Sequence, residues 1–289
     1  GKNADHVLLH LEHIEADTLQ KRLPGISETA KIFAGVDLTK EPIPVLPTVH
    51  YNMGGIPTNY RTEVLHSTKD NADKVCEGLM AVGEAACVSV HGANRLGTNS
   101  LIDLIVFGKA ASITAAKKVK PNSAKININT TITEEILDRF DSIRHNVGEA
   151  STGEVRTEMQ HIMQQKCAVF RTHDLISQGI KDFEKLEKTM DSINVKDKSL
   201  IFNTDLAETL ELYNLMAQSK VTLYSALNRK ETRGAHARED FRERDDENYL
   251  AHSLVWLSKN GDVRLDTRPV HMNTLTNHVQ PIPPKKRVY

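Results

Sequence analysis

The sequence has few of the features that identify disulfide-bonded, nucleic-acid-binding or membrane-spanning proteins. Its three cysteines, Cys76, Cys87 and Cys167, are far apart, form no CxxC pair and are odd in number, so they do not suggest a disulfide framework. A reducing compartment is therefore expected. Lysine and arginine number 37 against 38 aspartates and glutamates, and the net charge of -1 gives no electrostatic reason to expect nucleic acid as a partner.

Long hydrophobic runs and metal-ligand spacings are also missing. No stretch approaches about 18 consecutive apolar residues, so we expect no membrane span and expect any membrane association to run through another protein. No HExxH or paired CxxC motif occurs, so we predict no metal site. The opening GKNADHVLLHLEHI has no initiator methionine, apolar signal core or transit pattern, and we expect a processed, split or truncated chain.

What is present predicts a mixed fold in several segments. The 289 residues are enough for more than one domain. Residues 1–46 contain a strand, VLLHLEHI at 7–14, and a helix near 16–35 that Pro24-Gly25 interrupts. The proline-rich EPIPVLP at 41–47 follows, and we interpret it as a linker between domains because prolines exclude regular helix and central strand.

The remaining residues divide into three further predicted segments. Residues 47–130 alternate strand and turn, with a buried strand at 79–86 and a helix at 99–111 capped by Thr98 or Asn99, which predicts an α/β unit.

Residues 131–230 have helical periodicity and predict an antiparallel bundle. Residues 231–289 predict a small α+β domain whose strands, YLAHSLVWL and DVRLDTRPV, turn at Asn260-Gly261. A proline-rich basic tail, HVQPIPPKKRVY, follows and is expected to be extended.

Two glycine-rich turns in residues 47–130 hold candidate binding residues. Glu84 follows Gly83 at a strand end, where an acid can accept hydrogen bonds from sugar or ribityl hydroxyls. Arg95 lies in NRLGTNSLID, just before a helix whose free N–H groups suit an anionic group, and its planar guanidinium matches a carboxylate. The alternatives are a surface acid in a turn and a structural arginine.

A third turn, PTVHYNMGGIPTN, adds a histidine and two glycines. His50 can donate a hydrogen bond to a carboxylate, and Gly54 and Gly55 let the backbone approach a flat ring. The alternative is a buried, satisfied histidine beside a structural turn. The charged run RGAHAREDFRERDD is interpreted as a salt-bridged surface that docks on a neighbour. Alternatively, Arg233, His236 and Arg238 lean toward a substrate pocket or a cofactor-binding domain.

Together PTVHYNMGGIPTN, LMAVGEAACVSVHGANRLGTNSLIDLIVFG and ETRGAHAREDFRERDDENY resemble the flavoprotein subunit of succinate dehydrogenase, respiratory complex II. The resemblance covers essentially the whole chain and implies the second half of an FAD-binding flavoprotein. It divides the chain into the end of the capping domain (1–46), part of the FAD-binding α/β domain (47–130), a helical bundle (131–230) and a C-terminal domain (231–289). A looser resemblance links the chain to fumarate reductase flavoproteins and L-aspartate oxidase.

The resemblance also implies roles for individual residues. His50 and Arg95 would bind the substrate carboxylates, and the residues that would contact FAD are Glu84, Ser100, Leu101, Gly54 and Gly55. Succinate would be oxidised to fumarate by hydride transfer to the flavin while a base removes a proton, so that the protein contributes mainly positioning. The Rossmann segment, the histidine that holds FAD covalently, the proton-shuttle arginine and a further substrate histidine and threonine of the family are not in this sequence.

The resemblance therefore implies an incomplete site and several partners. We expect a split subunit, with an N-terminal half that carries the Rossmann segment and buries an open edge near 48–60 and 79–90; an isolated fragment is the alternative. An iron–sulfur subunit, indirect membrane anchors, and a location on the matrix side of the mitochondrial inner membrane or on a bacterial cytoplasmic membrane are implied as well. A non-catalytic assembly subunit, a fumarate reductase and an aspartate oxidase remain the functional alternatives.

Overall fold

The computed structural model describes residues 6–46, 48–122 and 128–285 of the chain. The chain divides into two compact units, residues 1–50 and 51–289. The predicted segments that include residues 1–5, 47, 123–127 and 286–289, among them the end of the basic tail, lie partly outside the described residues. The four-segment division itself stays a prediction.

The first unit is a small helical hairpin beside a two-stranded sheet. Its elements are β1 (Val7–Leu9), α1 (Ala16–Arg22), α2 (Pro24–Thr29), a π-helical turn (Ala30–Ala34) and β2 (Ile43–Val45). The predicted helix is indeed interrupted, because Pro24 occupies the first position of α2. A core of Leu19, Ala30, Val36 and Leu38 holds the unit together.

Two predictions for the first unit were wrong. VLLHLEHI forms a strand only at its first three residues, and EPIPVLP is not purely a linker because it contains β2, which pairs antiparallel with β1 and places Pro44 opposite Leu8. Proline is tolerated there because a two-stranded sheet leaves an edge on each strand that needs no N–H donor.

The second unit begins with short strands and a long helix. They are β3 (Ile56–Pro57), β4 (Glu63–Leu65), β5 (Val75–Met80), a 3₁₀ turn (Gly83–Ala85), β6 (Ala86–Cys87) and α3 (Asn99–Lys118). β3 pairs parallel with β6, and β4 pairs antiparallel with β5. The buried strand predicted at 79–86 was wrong: β5 ends at Met80 and Leu79 is 53% exposed, since the two-stranded pair leaves that face uncovered.

Helix α3 is apolar and mostly exposed. Its only buried side chains are Asp103 and Thr114, whereas Leu101 is 62% and Ile105 is 73% exposed. By length and composition alone it could cross a membrane, although the sequence has no unbroken apolar run of that length. A helix this apolar is normally buried. We call the exposed apolar side chains of α3, Leu101 and Ile105 among them, its apolar face, and expect another layer of protein to cover it.

Four helices form the predicted bundle. They are α4 (Thr130–His145), α5 (Thr152–Lys166), α6 (His173–Glu187) and α7 (Thr204–Asn228). Each begins at a polar cap that satisfies orphan N–H groups, and Ser151 forms a capping box with Glu154. The apolar stripes of α5, α6 and α7 meet in one core that includes Val155, Ile176, Phe183 and Leu212, whereas Ile143 of α4 packs in a smaller cluster with Val195 and Leu206.

The last elements pack against the bundle and complete the second unit. β7 (Phe170–Arg171) pairs parallel with β8 (Ala237–Arg238), and α8 (Asp246–Tyr249) precedes the hairpin of β9 (Ala251–Leu257) and β10 (Val263–Pro269). The predicted hairpin turn is confirmed, with Gly261 at φ +85.

The charged run RGAHAREDFRERDD is not simply a surface. Glu231, just before it, is 0% exposed and Arg238 is 1% exposed. Glu231 accepts from Arg229 and Arg233, while Arg238 pairs with Asp240. The charges can be buried because each has an opposite partner and further hydrogen bonds.

Candidate functional site

The glycine turn at residues 51–55 brings one predicted acid against the backbone. The peptide N–H of Asn52 donates to Oε1 of Glu84 at 2.9 Å. A Cβ on Gly55 would lie 2.5 Å from the carbonyl oxygen of Ala85, so only glycine lets this turn pass so close to the 3₁₀ turn. Gly54, at φ +115, has open space where its side chain would be.

The start of α3 lies beside the same turn. A Cβ on Gly83 would lie 2.7 Å from Cδ2 of Leu104, which places the Glu84 turn directly on α3. The helix is preceded by Thr98, whose φ is 66 and whose side chain makes no capping bond. Ser100 is partly exposed and Leu101 is exposed. The N–H groups of Asn99 and Leu101 donate to the carbonyls of Leu96 and Thr98, so what the first turn presents without a side-chain cap is mainly its positive dipole end.

Arg95 lies in the loop that precedes α3 and is supported on one face by an aromatic ring. Its guanidinium carbon is 4.5 Å from the ring centroid of Tyr51. Its Nε is buried and has no hydrogen-bond partner among the described residues. A buried unpaired donor is costly, so this arrangement suits a ligand that brings an acceptor oxygen.

Three residues that the sequence did not single out complete the surroundings of Arg95. Tyr51 meets the ring of His91 edge to face at 6.2 Å and 77°. His91 Nε2 in turn lies 2.8 Å from Oδ2 of Asp103, and both side chains are largely buried. Burial, with the carboxylates of Glu84 and Asp103, raises the pKa of the Tyr51 hydroxyl, so it is neutral at pH 7.

The C-terminal part of the second unit holds the Arg95 loop from behind. The N–H of Ala235 donates to the carbonyl of Ala93 at 3.0 Å. A Cβ on Gly234 would come within 2.7 Å of the same carbonyl, so the turn requires glycine. Arg233 lies in this turn, but its guanidinium pairs with Glu231 and Asp246.

A small cavity adjoins the site. It has a volume of about 30 Å³ and is lined by Tyr51, Asn52, Met53, Gly54, Ala86, Cys87, Val88, Ser89, His91, Gly92 and His252. Because roughly 10–15 Å³ of such volume holds one water, it is too small for a four-carbon dicarboxylate. Among the residues that the structure describes, no cluster of three His, Cys, Asp or Glu side chains could hold a metal.

The second unit therefore brings together Arg95, Glu84, Gly54, Gly55 and the start of α3. His50 is exposed and ends the first unit, directly before Tyr51 in the chain. Of the other candidates, His236 donates to the carbonyl of Arg229 inside the buried ion-pair network. The one signal that could have identified Tyr51 is its position next to His50; His91 and Asp103 carry no sequence signal.

These residues fit FAD on chemical grounds. Glu84 offers a carboxylate acceptor for hydroxyl groups, and only its Oε1 accepts a hydrogen bond from the residues that the structure describes. The side-chain space at Gly54 is open to a flat ring. The uncapped N-terminus of α3 offers N–H groups and a positive dipole end to a ring that becomes anionic.

Comparisons with known proteins relate the chain to FAD-binding flavoproteins. Residues 1–101 match a family model described as an FAD binding domain, and residues 156–289 match one described as the C-terminal part of fumarate reductase flavoproteins. The chain is 54% identical to a succinate dehydrogenase flavoprotein subunit of Rickettsia conorii and 53% identical to a mitochondrial one of Oryza sativa, over all of this chain and 48% and 46% of theirs.

Solved structures give the same relationship. A variant of the E. coli quinol fumarate reductase superposes with a TM-score of 0.80 at 38% identity, over 94% of this chain and 45% of that one. Another quinol-fumarate reductase gives 0.80 at 34% identity, over 95% and 48%. The chain thus spans about half the length of the relatives it matches, and it corresponds to their C-terminal half.

Proposed function

We propose that this chain, which belongs to the family of succinate dehydrogenase and fumarate reductase flavoprotein subunits, supplies the C-terminal half of an FAD enzyme that oxidises succinate to fumarate. The observation that carries the proposal is Arg95, whose guanidinium is stacked on Tyr51 and has a buried, unpartnered Nε. An arginine held in this way is prepared to bind a carboxylate through two parallel hydrogen bonds.

Each residue has a positioning task in this proposal. Arg95 binds one carboxylate of succinate and His50 binds a carboxylate, so that the methylene carbons are held for reaction. Glu84 accepts a hydrogen bond from a cofactor hydroxyl, Gly54 admits the ring, and Gly55 lets the turn lie close to the Glu84 turn. The positive end of α3 at Ser100 and Leu101 stabilises negative charge on the ring. When bound, FAD supplies the two-electron redox chemistry. No residue of this chain is assigned as the proton shuttle, which the N-terminal half would contribute.

The partners follow from the missing half. We infer that a separate chain carries the Rossmann segment and the covalent flavin, and that it covers the apolar face of α3. The exposure of Leu101 and Ile105 supports this, because a surface this apolar is rarely left in water. An iron–sulfur subunit and, through it, membrane anchors would accept the electrons. The assembled enzyme would then lie on the matrix side of the mitochondrial inner membrane, or on the cytoplasmic side of a bacterial membrane.

The first test is to purify the native complex, separate it on a denaturing gel and scan the gel for flavin fluorescence. A split subunit gives a flavin-bearing chain of similar size that accompanies this 32.3 kDa chain. Flavin fluorescence on a single band of about twice that size would instead make this sequence part of one continuous flavoprotein. A complex without flavin would reject the FAD enzyme and favour a non-catalytic assembly subunit.

The same complex tests the role of Arg95 in catalysis. Arg95→Gln removes the paired donors, and we expect succinate oxidation to fall by about 100-fold or more. Arg61→Gln is the matched control, since Arg61 also lies over a tyrosine, Tyr60, but is exposed. Fumarate reduction measured alongside decides which direction is faster, because the relatives include enzymes named for each. Equal activity of the two variants would remove Arg95 from the site.

A further inference from the structure

We propose that Tyr51, held in place by the His91–Asp103 pair, is the positioning residue that orients Arg95 for carboxylate binding. The inference rests on the proposed function, since it takes Arg95 as the carboxylate ligand. It adds three residues that do not touch the substrate in this scheme and that act through the arginine.

The geometry forms a continuous series of contacts. Asp103 is buried in the first turn and a half of α3 and accepts from His91 at 2.8 Å. His91 packs against Tyr51 at 6.2 Å between ring centroids. The Tyr51 ring carries the guanidinium of Arg95 at 4.5 Å. The series therefore links α3, a rigid element, to the one cationic group of the site.

The Tyr51 ring restricts the long, flexible side chain of Arg95 before a ligand binds. A free arginine side chain loses rotamer entropy when a ligand fixes it, and an ordered one loses less on binding. Contact with the Tyr51 ring restricts the guanidinium while leaving the N–H groups at its edge available to a carboxylate. The unpartnered Nε of Arg95 is consistent with an edge that is kept for a ligand.

The same pair anchors the loop that carries Arg95. His91 and Arg95 are four residues apart, so the bond from His91 to Asp103 fixes one end of the loop to α3. Between them, Gly92 has φ +59 and the carbonyl of Ala93 is held by the N–H of Ala235. The backbone of Arg95 is thus held by the loop, and its side chain is held by Tyr51.

The test measures fumarate binding to the oxidised complex, because the product binds in the site but cannot react with oxidised flavin. Flavin absorbance reports the dissociation constant, and the flavin content of each variant reports whether the complex still assembles. Tyr51→Leu removes the ring, and we expect the dissociation constant to rise by about 3- to 30-fold, the range of a partly to fully desolvated cation–π contact. Tyr51→Phe keeps the ring and should restore binding.

Tyr60→Leu is the matched control, because Arg61 lies over the Tyr60 ring at 5.3 Å on an exposed part of the same unit. It should leave fumarate binding unchanged. If Tyr51→Leu binds fumarate as the wild type does, Tyr51 does not position Arg95. If the wild-type complex itself binds no fumarate, the proposed function fails and the positioning role fails with it.

A double-mutant cycle separates positioning from a general structural effect. If Tyr51 acts through Arg95, Tyr51→Leu should weaken binding no further once Arg95→Gln is present. A merely structural role predicts that the two losses multiply, and that outcome would overturn the proposal. Asp103→Asn keeps an acceptor for His91 but removes its charge, and we expect a smaller loss in the same direction, which should also vanish in the Arg95→Gln background.

Discussion

Buried histidines in the second unit make its stability depend on pH. Burial, assisted by the positive charges of Arg171, Arg229 and Arg238, lowers the pKa of His236 from its ordinary 6.5 to about 4. The unfolded chain therefore binds a proton below pH 6.5 that the folded chain does not bind until about pH 4. The contribution of His236 to the free energy of unfolding is therefore complete above pH 6.5 and is lost as the pH falls from 6.5 to 4.

This pH dependence can be measured as the thermal midpoint of unfolding of the native complex. His236→Gln, which retains a donor for the carbonyl of Arg229, should flatten the decline between pH 6.5 and 4. A residual slope should remain, because burial also lowers the pKa of His252 to about 4. Asp240, whose pKa is lowered to about 2 by Arg238, acts only below that window. An unchanged slope in the variant would mean that folding does not lower the pKa of His236.

At the same residue scale, the sequence indicated Arg95 and Glu84 because each lies in a glycine-rich turn with a recognisable local pattern. It could not indicate Tyr51, His91 and Asp103. Their contacts depend on the rotation of α3 and on the path of two loops, and neither is encoded in a short motif. The side chain of His50 was singled out, whereas the neighbouring Tyr51 was not.

At the scale of elements, one close approach joins the loop after α4 to the 3₁₀ helix (Lys188–Ser192) that follows α6. A Cβ on Gly148 would lie 1.8 Å from the carbonyl oxygen of Ser192, which also accepts from the N–H of Ala150. We expect Gly148→Ala to displace this carbonyl and lower the free energy of unfolding by about 1–3 kcal/mol or more. The shift in unfolding midpoint of the native complex, compared with the wild type, measures it.

The matched control for this close approach is Gly153→Ala. Gly153 is exposed in the first turn of α5 and has no atom within 4 Å of its missing Cβ. Alanine favours a helix over glycine by roughly 1 kcal/mol, so this variant should be neutral or more stable. If both variants behave alike, the contact with Ser192 is not a constraint on the bundle.

The elements also show which predictions a sequence supports. The bundle helices were predicted because their periodicity and their caps, such as Ser151 with Glu154, are local. The pairing of β1 with β2 was missed because it joins distant segments and uses a proline on an edge. The burial of Glu231 was missed because a dense charged run suggests a solvated surface unless its partners are known.

At the scale of the whole molecule, the structure of this chain gives no reason why the apolar face of α3 is exposed to solvent. One family model ends at residue 101 and the other begins at residue 156, so neither covers most of α3 or any of α4. The relatives are about twice as long as this chain. An exposed helix of this composition is normally covered by another layer of protein. In the proposed enzyme, the N-terminal half of the flavoprotein would supply that layer.

A charge placed on this face should therefore prevent assembly. Ile105→Glu puts a carboxylate where we infer a dry contact, and the cost of burying it should weaken co-purification of the N-terminal half by about tenfold or more. Lys117→Glu is the control and should co-purify normally, because Lys117 is exposed on the same helix but lies about 120° around it from Ile105. Glutamate is a good helix former, so circular dichroism should be unchanged in both. Equal recovery of the partner with both variants would place its contact surface elsewhere than the apolar face of α3.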